Sequence, residues 1–150
     1  VDISHVVQAN PLVANRTDDA SWVVWDFRFQ RRPWTVNAER AANRWQRARD
    51  TKEWRQATAL YAKQHRVPLL TDATVTVSLV LKGRLQDTAA CLPALKAVVD
   101  GLVDAGMFVD DTGDHVRQIV FQAPGRGSPD AMTVGVLGRL VTADGYTQPH

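Results

Sequence analysis

The chain has 150 residues, 45% of them hydrophobic, enough for one domain with a real core. A single cysteine, Cys91, excludes an intramolecular disulfide framework, and no apolar run approaches the ~20 residues needed to cross a bilayer. The formal net charge is only +2, but the charges are segregated. Arg28, Arg31, Arg32, Arg40, Arg44, Arg47, Arg49, Lys52 and Arg55 crowd one segment, interleaved with Trp34, Trp45 and Trp54, while acids gather between 100 and 114.

Residues 1–20 show no clean period and read as an N-terminal extension. The start, VDISHVVQAN, has neither the basic region nor the apolar core of a signal peptide, which points to a cytoplasmic protein. Residues 21–30 alternate, with Trp25, Phe27 and Phe29 on one side and Asp26 and Arg28 on the other, as a half-buried strand requires. Arg31-Arg32-Pro33-Trp34 breaks it. Asn37 suits the N-cap of a helix to about residue 48, and Asp50-Thr51-Lys52-Glu53 reads as the capping box of a second helix to about 65. On the first helix Arg40, Arg44 and Arg47 would share a face, either solvated or contacting phosphate. They lack acidic partners one turn on and sit beside Trp45, which favours phosphate.

A loop around Pro68 precedes the clearest strand, 74–81, with Val75, Val77, Leu79 and Leu81 on one face. Leu92, Leu95, Val98, Val99, Leu102 and Val103 then recur at helical spacing. Asp87 or Thr88 can cap this helix, Pro93 is tolerable in its first turn, and Gly106 suits a left-handed C-cap. Cys91 near its start is either a nucleophile or a small apolar filler, and no nearby histidine favours the first. Asp110, Asp111, Asp114 and His115 follow. Together with Asp87 these acids are either solvated caps or a divalent-metal site. Residues 115–122 and 132–140 read as two strands joined in a hairpin through the Gly-, Ser- and Pro-rich loop 124–130. Residues 141–150 form a tail. The expected fold is α+β, one domain over 21–140, with a small mixed sheet covered mainly on one face by helices.

The stretch LKAVVDGLVDAG, followed by DD and DHV, resembles the RusA family of Holliday junction resolvases. So do Pro33-Trp34-Thr35-Val36-Asn37, Arg40, Arg44-Trp45 and Trp54-Arg55 upstream, and the likeness covers roughly residues 22 to 140. The resemblance implies a RusA-like fold and a homodimeric, magnesium-dependent endonuclease of four-way DNA junctions, working in a bacterial or phage-infected cell. By position it implies Asp87, Asp110 and Asp111 as Mg2+ ligands and Asp87, Lys96 and Asp111 as catalytic residues. The DNA contacts expected are Arg31, Arg32, Asn37, Arg40, Arg44 and Arg47.

The chain departs from the family at one place: Ala89-Ala90 stand where the pattern has Asp-Asn, and alanine cannot ligate a metal. DNA binding with impaired cleavage is therefore expected. The alternatives are a non-catalytic module for branched DNA and an assembly protein whose acids are caps. A helix from 90 to 105 is roughly 24 Å long, and it separates Asp87 from Asp111. Either the chain folds back along 106–111, or two helices pair antiparallel in a dimer that shares its sites; the second suits a two-fold junction.

Overall fold

The computed structural model describes residues 3–9 and 21–141. Among these residues, six strands and three helices follow in the order β1 (Ile3–Ala9), β2 (Trp22–Phe29), α1 (Val36–Ala41), α2 (Arg44–Gln64), β3 (Leu70–Leu81), α3 (Leu92–Asp104), β4 (Val116–Phe121), β5 (Gly125–Arg126) and β6 (Ala131–Leu140). They form a small mixed α+β domain, with the sheet in the order β1-β2-β6-β3-β4 and β5 attached to the end of β3. Residues 10–20 and 142–150, within the expected extension and tail, lie outside the described residues. Residues 3–9, which show no sequence period, pair antiparallel with β2 at the edge of the sheet.

Strand β3, at 12 residues the longest of the described strands, lies between β6 and β4. Its alternation buries Ala73, Val75, Val77, Leu79 and Leu81 on the helix side and leaves Thr74, Thr76 and Ser78 half-exposed on the other. It pairs antiparallel with β6 and parallel with β4. The expected hairpin between the last two long strands is therefore wrong: β3 lies between them. A parallel pair cannot be closed by a tight turn, and α3 supplies the crossover from β3 to β4. Loop 124–130 instead carries the chain along the end of β3, where β5 pairs with Val80 and Leu81.

Helix α3 buries Leu95, Val98, Val99 and Leu102, as the apolar spacing predicts. Pro93 falls in its first turn, and Gly106, at φ +84, follows its C-cap Ala105. Cys91 is wholly buried, and burial pushes its thiol up, so it is a packing residue rather than a nucleophile. Helix α2 packs on α3 with Trp54, Thr58, Ala59 and Ala62 buried. Trp54 stacks on Phe29 at 5.1 Å between ring centroids and meets Trp34 edge-on at 5.4 Å, which joins the helix layer to β2.

The helix boundary in the basic segment also differs from the expected one. Thr35, not Asn37, caps α1, its hydroxyl accepting from the Ala38 amide at 3.1 Å. The break falls at Ala42, and Asn43 caps α2 by accepting from the Gln46 amide at 2.8 Å. Asp50-Thr51-Lys52-Glu53 lies inside α2, because the earlier cap has already started the helix and Glu53 is engaged by Arg31 at 2.8 Å.

Helices α2 and α3 come close at Gly101, where an added Cβ would lie 2.5 Å from the Arg55 carbonyl oxygen and 2.7 Å from the Thr58 Cβ. Gly101→Ala must push the two helices apart, and denaturant unfolding should show a loss of about 1–3 kcal/mol. The gain in helix propensity, up to about 1 kcal/mol, offsets only part of that.

Candidate functional site

The acids do not assemble into one centre. Asp87 lies in the turn before α3, its carbonyl accepting from the Ala90 amide at 3.0 Å, with its side chain exposed. It borders a cleft of about 490 Å3 together with Arg32, Asn37, Arg84, Gln86 and Ala89. The cleft wall is held to α1 by the Ala90 carbonyl, which accepts from the Val36 amide at 2.9 Å.

Beyond α3 the chain folds back, and Asp111 meets Lys96 of the same chain at 3.1 Å. The preferred pairing of two helices is thus not needed to bring the far acids back along the helix. Lys96 and Asp111 come together as an exposed ion pair of small energetic value. Asp110 turns onto its own loop, accepting from the Thr112 hydroxyl at 2.6 Å and the Thr112 amide at 3.0 Å. Those bonds, with His115 contributing least, hold its carboxyl below the usual range. His115 packs its Nδ1 against the Thr71 hydroxyl at 3.2 Å and bridges the loop to β3.

Among the described residues, no group of three or more His, Cys, Asp or Glu side chains could hold a metal ion. This overturns the expectation of a magnesium-dependent endonuclease, and with it Mg2+ as cofactor. The physical reason is local. Ala89 offers no oxygen beside Asp87, Asp110 is turned onto Thr112, and Asp111 is occupied by an ammonium group.

The basic segment is organised differently. Because the helix breaks at Ala42, Arg40 sits on α1 while Arg44 and Arg47 sit on α2, so the three do not share one helix face. The first buried residue of α2 is Trp54, so residues 44–53 form an arm of about 15 Å that buries no side chain, exposed over 44–49 and half-buried at Asp50, Thr51 and Glu53. Arg44, Arg47, Thr51, Lys52 and Arg55 recur at helical spacing and line a groove of about 650 Å3 with Glu39 and Asp104. Arg55 is committed to Asp104 through two bonds of 2.6 and 2.9 Å, which tie α2 to α3 and hold the Asp104 carboxyl below its usual range. Within the described residues, Arg40, Arg44, Arg47, Arg49 and Lys52 make no ion pair. Trp45 is 70% exposed, with the Arg44 guanidinium 5.0 Å from its ring centroid.

Of the expected DNA contacts, Arg31 is engaged by Glu53, and Arg32 donates to the carbonyls of Lys82 and Arg84. Asn37 borders the cleft rather than the groove. Lys52 is not among the expected contacts. A helix capped by Asn43 runs on through it and puts it on the arginine stripe, so the cap is the signal that finds it. Among the described residues no helix is long and apolar enough to cross a membrane. Compared with known proteins, the chain matches no family model, and a search of curated proteins returns no relative.

Two outcomes follow from this geometry. Millimolar magnesium should leave the thermal midpoint unmoved, since a resident ion would raise it by mass action. The Arg55–Asp104 pair depresses the folded pKa of Asp104, so its contribution is complete above the unfolded value of about 3.9 and is lost as the pH falls through the lower folded value. The stability difference between the protein and Asp104→Asn should therefore narrow in acid unfolding curves below about pH 3.9.

Proposed function

We propose that the chain is a non-catalytic nucleic-acid-binding module that grips phosphodiester groups with the projecting half of α2. The observation that carries this is the arm itself. Residues 44–53 include no buried side chain, and Arg44, Arg47, Arg49 and Lys52 make no ion pair among the described residues. A helix N-terminus favours negative charge, yet the first turn of α2 holds no acid and begins with Arg44. Two arginines there cost the isolated helix some stability, and a phosphate placed between them offsets that cost.

Exposed Trp45 offers a stacking surface to an unpaired base, which a continuous duplex does not present. Together with the resemblance of the Pro33–Asn37 and Arg44-Trp45 segments to RusA proteins, this favours branched DNA over linear duplex as the ligand. The same resemblance makes a homodimer the proposed binding form, with one arm on each side of a two-fold junction.

The test is fluorescence anisotropy with labelled four-way and linear DNA over a range of salt. Replacing Arg44, Arg47 and Lys52 by alanine should weaken junction binding and flatten log K against log[salt] by up to about 0.9 for each phosphate that the variant no longer neutralises. Trp45→Ala should cost about 1–3 kcal/mol on junctions that expose a base and little on linear duplex. An unchanged salt slope in the triple variant would overturn the reading. A monomer by light scattering on the junction would remove the dimer.

A further inference from the structure

The loop that follows β3 carries a second set of cations. Residues 82–84 present three successive carbonyls, and each accepts from an arginine. Arg32 donates to the carbonyls of Lys82, at 3.4 Å, and Arg84; Arg126 donates to that of Gly83 at 2.9 Å. Gly83, at φ +82, gives the backbone the left-handed turn the loop needs. The Asp130 carboxylate accepts from the Lys82 amide at 2.7 Å and fastens the loop from a third side. The pairing of β5 with Val80 and Leu81 holds Arg126 beside it.

A carbonyl fixes a guanidinium without neutralising it. Arg32 and Arg126 are therefore immobilised with their charge intact, and the side chains of Lys82 and Arg84 have no ion-pair partner among the described residues. Against these four cations stand Asp130, beneath the loop, and Asp87, across the cleft that Arg32 and Arg84 border. Ala89, on the wall of that cleft, adds no carboxylate to repel an anion. Helix α1 lies between the two basic regions: its Asn37 borders this cleft, and its Glu39 borders the groove of the arm.

We propose that the 82–84 loop, with Arg32 and Arg126, is a second phosphodiester-binding site, so that a bound strand runs from the arm across α1 to this loop. The proposal rests on the nucleic-acid reading above but on none of its residues. Guanidinium groups held in place lose little freedom when a phosphate arrives, whereas the lysine and arginine of the arm must be ordered.

The experiment measures the salt dependence of junction binding for Lys82→Gln/Arg84→Gln, which removes free charges and leaves every tether of the loop intact. Arg126→Gln is the companion that also loosens the loop, and Lys63→Gln, at the far end of α2, is the control for a general loss of charge. Each protein is first checked for an unchanged unfolding midpoint, and Arg84→Gln alone stands in for any variant that fails this check. The slope of log K against log[salt] should fall by up to about 0.9 per phosphate released in the loop variants and hardly at all in the control. The loop and arm effects should add when combined, because separate phosphates of one ligand are involved. If only the arm variants lower the slope, the second site is overturned and the arm reading stands. A lower slope in the loop variants alone upholds the loop and overturns the arm. If neither set changes it, both fail. A loop effect matched by Lys63→Gln shows only the net charge of the molecule, and also overturns the site.

Discussion

Strands β3 and β4 run parallel, and this one pairing constrains most of the molecule. A parallel neighbour must be reached by a crossover, so α3 is compelled to lie across the sheet, with the turn holding Asp87 before it and the acidic loop after it. Helix α2 then has a surface to pack on, and Gly101 lets the two helix backbones come close. Trp54, between Phe29 and Trp34, completes the core, and N-terminal to it α2 buries no side chain, with residues 44–49 all exposed. The exposed basic arm is thus a consequence of where the core ends on a 21-residue helix.

The charges fall into two kinds of partnership with different consequences. Arg55 with Asp104, Lys96 with Asp111 and Arg31 with Glu53 are mutual neutralisations between elements, partly solvated and modest in energy. Arg32 and Arg126 are bound to backbone carbonyls and keep their charge. In the first kind a carboxylate facing an ammonium or guanidinium has part of its charge balanced, which makes it a poorer metal ligand. The second kind stores positive charge at a fixed place, and electrostatic attraction of phosphate needs no more than that.

Much of the fold is legible in the sequence. The alternation of Val75 to Leu81 and of Trp25 to Phe29 requires half-buried strands, and the spacing of Leu95, Val98, Val99 and Leu102 requires a helix with one apolar face. Gly106 and Pro93 mark the ends of that helix for local steric reasons, and both sit where such reasons put them. The crowding of arginine and tryptophan between 28 and 55 is equally plain from the residues themselves, and so is the absence of a second acid beside Asp87.

Tertiary structure alone decided the rest, because these questions turn on which of several locally acceptable partners is taken. Asn37, Asn43 and Asp50 are all good helix caps, and only the folded chain shows that Asn43, bonded to the Gln46 amide, starts the long helix. Two strands flanking a Gly- and Pro-rich loop suit a hairpin, yet the edge of β3 claimed one of them on each side, since period-2 patterning fixes a strand's faces and not its neighbours. Acids close in sequence suggest a metal site, but whether a carboxylate meets another carboxylate, an ammonium group or a hydroxyl is settled by the path of the chain after α3. That path gave Asp111 to Lys96 and Asp110 to Thr112. Residue types and spacing therefore determined the layers and the sign of the charge, and long-range packing determined which charges remained available.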